Sequence, residues 1–110
     1  MTTIKQYTVY KILHNGIVVY IGYTNNLRVR QYQHNTTYNK FKQDPVKYKK
    51  MLYKFLLNNG FNDTIELVPI KENIKSKVEA KRIEMYLILK YYFSKNNTLQ
   101  QYVPNISDFR

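Results

Sequence analysis

Tyr10, Tyr20, Arg30, His34 and Glu84 are the side chains whose types and spacing could do chemistry together. Arg30 and His34 lie four residues apart in RVRQYQHN, so on a helix they share one face. Arg30 is one of only four Arg in a chain with 14 Lys. Its planar fork suits bidentate binding of a phosphate, where a Lys offers a point charge. Glu84 is the lone acid in IEMYLIL, and helical spacing sets it beside Ala80, Leu87, Ile88 and Tyr91. A carboxylate at the border of an apolar arc is costly unless it is paired or binds a cation. One carboxylate plus water and phosphate oxygens is a coordination set that Mg²⁺ favours. The plainer readings are a solvated Arg–His pair, and an ion pair from Glu84 to Lys77, Lys81 or Arg82.

Two strands must carry the phenols. Tyr7 to Leu13 and Ile17 to Tyr23 are rich in Val, Ile and Tyr and flank the turn dipeptide Asn15-Gly16. A two-residue turn sets His14 opposite Ile17 and Tyr10 opposite Ile21, with Tyr20 on the other face opposite Lys11. A three-residue loop, His14 to Gly16, pairs Tyr10 directly with Tyr20. The turn thus decides whether the phenols meet or merely decorate opposite faces.

The remaining elements follow from caps and periodicity. Thr24 reads as the N-cap of a short helix ending near Asn35, and residues 36 to 44 as a loop. Asp44 and Pro45 suit the start of a second helix running to Asn58 or Asn59, with Gly60 just beyond. Val46, Leu52, Phe55 and Leu56 supply its apolar positions. Thr64 to Val68 alternates as a third strand that Pro69 ends or holds at an edge. Ser76 caps a long third helix, KVEAKRIEMYLILKYYF. The order β-β-α-α-β-α predicts one small α+β domain over residues 1–110.

Charge narrows the partners. The 110 residues carry 18 Lys and Arg against 7 Asp and Glu, a net charge of +11. A field of that sign favours a polyanion such as nucleic acid, through counterion release. Six Lys, at 40, 42, 47, 49, 50 and 54, stand against Asp44 and give that segment +5. They are the expected phosphate contacts, which position a duplex without reading its sequence. There is no Cys, which excludes disulfides, thiolate zinc sites and thiol nucleophiles. No apolar run approaches the roughly 20 residues of a membrane span, and an intracellular, cytoplasmic protein is expected.

In order and spacing, TVY (8–10), YIG (20–22), RQYQH (30–34) and EMYLI (84–88) resemble the GIY-YIG nuclease family. The resemblance runs over roughly residues 5 to 102. It implies a three-stranded antiparallel sheet flanked by helices. It favours the odd-length turn, with both motif tyrosines pointing into one site. It implies metal-dependent hydrolysis of DNA phosphodiesters, leaving 3′-hydroxyl and 5′-phosphate ends. Glu84 would hold Mg²⁺ or Mn²⁺, and Arg30 would bind a non-bridging oxygen. Tyr10 would act as general base or orient the water, His34 would relay the proton, and Tyr20 would order the water or touch the phosphate. Which of Tyr10, Tyr20 and His34 is the base stays open. Thr8 stands where the motif has its first Gly. The family's Asn after the third helix corresponds to Gln100 by order or Asn97 by chemistry.

No residues are left for a separate DNA-reading domain, so the expectation is a monomer or homodimer, or a chain that borrows a partner's targeting. Size and composition suit a phage- or mobile-element-type enzyme. The competing class is a non-catalytic DNA-binding module with the same fold. Binding to an anionic membrane surface would need helix two to give up the apolar residues the core requires.

Overall fold

The computed structural model describes residues 5–47 and 51–92. The element order is β1 Tyr7–His14, β2 Ile17–Thr24, α1 Leu27–Gln43, α2 Met51–Asn58, β3 Val68–Ile74 and α3 Lys77–Tyr92. The strands form one antiparallel sheet in the order β2-β1-β3. This is the α+β fold expected. Among the described residues, no helix is long and apolar enough to cross a membrane.

The hairpin turns on two residues, with both Asn15 (φ 53°) and Gly16 (φ 77°) at positive φ. That is the signature of a type I′ turn, whose twist matches that of the strands. His14 therefore pairs with Ile17 and Leu13 with Val18. The ladder then slips by one residue, so that Ile12 pairs with Tyr20, Lys11 with Ile21 and Tyr10 with Gly22. The three-residue loop favoured by the resemblance is not what forms, and Tyr10 faces neither Tyr20 nor Ile21. A bulge at Val19 changes the parity instead, since one extra residue in a strand re-aims everything beyond it. Tyr10 and Tyr20 end on the same face as diagonal neighbours, ring centroids 6.3 Å apart.

Apolar side chains cover both faces of the sheet. On one face Tyr10, Ile12 and Val19 pack with Tyr38 and Phe41 of α1, Leu52, Tyr53 and Leu56 of α2, and Ile65 and Leu67. On the other, Val9, Val18, Ile21 and Ile74 pack with Ala80 and Ile88 of α3. Neighbouring Val19 and Tyr20 both belong to the first face, which is how the bulge appears in the packing.

Three expected boundaries move. The N-cap of α1 is Asn26, whose side chain accepts from the Val29 N–H; the Thr24 hydroxyl braces it, accepting from the Asn26 N–H. The helix continues through 36–43, because Tyr38 and Phe41 extend the buried stripe begun by His34 and outweigh the weak propensity of Thr36 and Thr37. Asp44 consequently closes α1 rather than opening α2, its N–H donating to the Lys40 carbonyl. Pro45 and Val46 fall in the turn that follows, and Val46 is exposed rather than in the core.

Residues 64–67 alternate as expected, with Ile65 and Leu67 buried, yet they form no strand. Side-chain amides of α1 take their backbone groups instead. Asn35 accepts from the Ile65 N–H and donates to the Ile65 carbonyl, and Gln31 accepts from the Leu67 N–H. The strand begins at Val68 and includes Pro69, which is tolerated because β3 is an edge strand. Ser76 caps α3 as expected, accepting from the Glu79 N–H.

Candidate active site

Tyr10, Tyr20, Gly22, Arg30 and Glu84 line one cleft of about 450 Å³. Its residues come from both sides of the sheet, so it lies across the edge strand β2 near the start of α1. Tyr10 and Tyr20 belong to the α1–α2 face, and Tyr7 and Tyr23 to the α3 face. Four of the five residues singled out by type and spacing therefore share this cleft.

The close approach at Gly22 is made by the protein's own phenol. A Cβ built on Gly22 would stand 2.6 Å from the Tyr10 hydroxyl oxygen. The missing side chain gives the Tyr10 ring its place and keeps the edge strand from closing the cleft. No positive φ is involved, so the constraint is space rather than conformation.

The fifth residue, His34, is buried behind Tyr10 and is not part of the cleft lining. Its Nε2 lies 2.9 Å from the Tyr10 hydroxyl. Its Nδ1 lies 2.8 Å from the hydroxyl of Tyr53 on α2. His34 thus sits behind the cleft, hydrogen-bonded to Tyr10 and packed edge-on against Tyr20, ring centroids 5.6 Å apart. Tyr53 was not legible as a site residue. MLYKFLLN marks it as a core aromatic, and nothing local says which imidazole its hydroxyl would find.

Electrostatics set the protonation states. Burial pushes the Tyr10 phenol well above its ordinary range, reinforced by the Tyr20 phenol; Arg30 pulls the other way without prevailing. Tyr53 is also pushed up, mainly by burial and then by Tyr20, against the pull of Arg30. At Tyr10 desolvation thus outweighs the nearby guanidinium charge. Burial likewise raises the Glu84 carboxyl to about 7, with Lys81 opposing. The ion pair the sequence offered from Arg82 goes to Glu79 instead, at 3.3 Å.

Among the described residues Glu84 is the one carboxylate of the cleft lining. Among the described residues no group of three His, Asp or Glu assembles into a ready-made metal cage. A divalent cation here would take Glu84, water and the oxygens of a bound phosphate. The donor set fits a Mg²⁺-type ion, which keeps much of its water and uses few carboxylates.

Among the described residues the lysines of the cleft are Lys5 and Lys77; the sequence offered Lys77 only as an ion-pair partner for Glu84, and neither as a phosphate contact. Lys40, Lys42, Lys47 and Lys54 are exposed but line no part of it. The Lys42 ammonium sits 4.8 Å from the centre of the Tyr38 ring, and Lys54 borders a separate apolar groove with Phe41 and Leu57. Lys49, Lys50, Asn97 and Gln100 lie outside the described residues. His14 packs edge-on against Phe55 and Phe61 and does not line the cleft. Comparison of this chain with family models, curated proteins and solved structures gave no match.

Proposed function

We propose that this protein is a metal-dependent DNA endonuclease of the GIY-YIG kind. One observation carries the reading: two phenols, a guanidinium and a carboxylate from separate elements line a single cleft in a chain of net charge +11. Phosphodiester hydrolysis needs a positioned water, a proton acceptor, and positive charge on the phosphoryl and leaving oxygens.

The Arg30 fork holds a non-bridging phosphate oxygen. Glu84 would hold Mg²⁺ or Mn²⁺, which when bound would supply Lewis-acid stabilisation of the charge growing on the phosphate and the leaving 3′-oxygen. Tyr20 borders the same space and orders the attacking water. Tyr10 need not ionise beforehand. Its oxygen takes the proton of the attacking water while its own proton passes to His34 Nε2, 2.9 Å away. An imidazole has an ordinary pKa of about 6.5 and is a far better resting place for that proton than a buried phenol. The cleft lysines, Lys5 and Lys77, extend the phosphate-binding charge along the backbone.

The deciding experiment is nicking of supercoiled plasmid by the purified protein with Mg²⁺ or Mn²⁺, repeated in EDTA and with Glu84→Ala. Cleavage that needs the metal and Glu84, with 3′-hydroxyl and 5′-phosphate ends, is the expected result. DNA binding without cleavage under any of these metals would leave a binding module of the same fold.

A further inference from the structure

The hydrogen-bonded chain does not stop at His34. Both ring nitrogens are occupied, Nε2 by the Tyr10 hydroxyl and Nδ1 by the Tyr53 hydroxyl, at 2.9 and 2.8 Å. All three side chains are at least nine-tenths buried, with Tyr53 only 4% exposed. They come from β1, α1 and α2, so the arrangement is tertiary and not a by-product of one helix. Tyr53 is absent from the cleft lining.

We propose that Tyr53 is a positioning residue: its oxygen accepts the Nδ1–H of His34 and so leaves the Nε2 lone pair facing the Tyr10 hydroxyl. The proposal rests on the nuclease reading and adds the residue that makes its proton path run one way. A neutral imidazole carries one N–H, and its partners decide which nitrogen holds it. For Tyr10 to give up its proton as it takes one from water, Nε2 must be bare. The proton must then sit on Nδ1, where Tyr53 supplies the acceptor. After the step His34 carries both protons; Nε2–H points to the Tyr10 oxygen and Nδ1–H still points to Tyr53. The gained proton returns through Tyr10 to the departing product or to solvent, and the chain is restored. This is the logic of a nucleophile–base–orienter triad, with a phenol in the place of the usual carboxylate.

Tyr53→Phe tests it, since the ring fills the same space and only the acceptor is lost. In the parent, nitrogen-15 spectra of histidine-labelled protein should show His34 as the Nδ1–H tautomer, with His14 as internal reference. In the variant an Nδ1–H would face a ring edge with no acceptor, while Nε2–H still finds the Tyr10 oxygen. The tautomer should therefore swing to Nε2–H. Turnover on plasmid DNA should fall by about tenfold or more with KM unchanged, as lost proton transfer requires. A parent already in the Nε2–H form, a tautomer indifferent to the substitution, or a variant with parental turnover would each overturn the proposal. If the parent cleaves nothing, the nuclease reading falls, and the tautomer comparison, which needs no substrate, still decides the role of Tyr53.

Discussion

Tyr10 and Gly22 face each other across β1 and β2, and the phenol of one occupies the space a side chain on the other would fill. The whole site hangs on this pairing, because it sets the Tyr10 hydroxyl between His34 and the cleft. Gly22→Ala should therefore act at a distance. The added methyl would stand 2.7 Å from the Tyr10 ring carbon that bears the hydroxyl, so the rigid ring must move. Overpacking of this kind costs about 1–3 kcal/mol. Urea unfolding should show that loss, and cleavage should fall further than in a core substitution of equal cost. Unchanged stability and activity would mean the ring has room to spare.

Glu84 makes the metal-free protein sensitive to pH. Its carboxyl sits at about 7 in the folded chain against an ordinary 4.5, so the fold holds that proton more tightly than the unfolded chain does. The stabilising contribution is complete below 4.5 and is lost as the pH rises through about 7. Thermal unfolding in EDTA should fall over that window in the parent and stay flatter in Glu84→Gln, which cannot ionise. The same variant should lose metal-dependent cleavage while retaining DNA binding. Parallel melting profiles would show that Glu84 does not titrate in this way.

Arg30 should matter through its shape as well as its charge. Arg30→Ala should lower turnover by about 10²-fold or more, in line with the loss of one charge-stabilising donor. Arg30→Lys keeps the charge but not the fork, and should recover only a small part. Full recovery by Lys would reduce Arg30 to a generic cation.

Position should separate the lysines. Lys77→Ala removes a cation from the cleft itself, whereas Lys54→Ala removes one beside a different groove. Removing one phosphate-neutralising cation lowers the slope of binding against salt by about 1. Affinity titrations at several salt concentrations should show that drop for Lys77→Ala and a smaller one for Lys54→Ala. The reverse order would place the DNA track along α1 and α2.

Much of this was legible locally. The hairpin, the cap of α3 and the apolar border around Glu84 follow from turn chemistry, capping and helical spacing. The length of α1 was not, because Thr36 and Thr37 argue against a helix that Tyr38 and Phe41 extend by burying themselves. Nor was the irregular course of 64–67, whose alternation mimics a strand while Asn35 and Gln31 hold its backbone. In both cases partners far along the chain outweighed a local preference.

By itself the sequence named Tyr10, Tyr20, Arg30, His34 and Glu84 as residues that could bind phosphate, hold a cation or move a proton, and indicated on which kind of element each would sit. Only the tertiary structure decided that the phenols share a face, because a bulge one residue long resets the alternation of β2. It alone decided that His34 lies behind Tyr10 with Tyr53 on its far nitrogen, and that, among the described residues, Lys5 and Lys77 join Arg30 in the cleft. Side-chain type and helical or strand spacing are local properties. Register, burial and the partner of a buried hydroxyl belong to the packing of several elements at once.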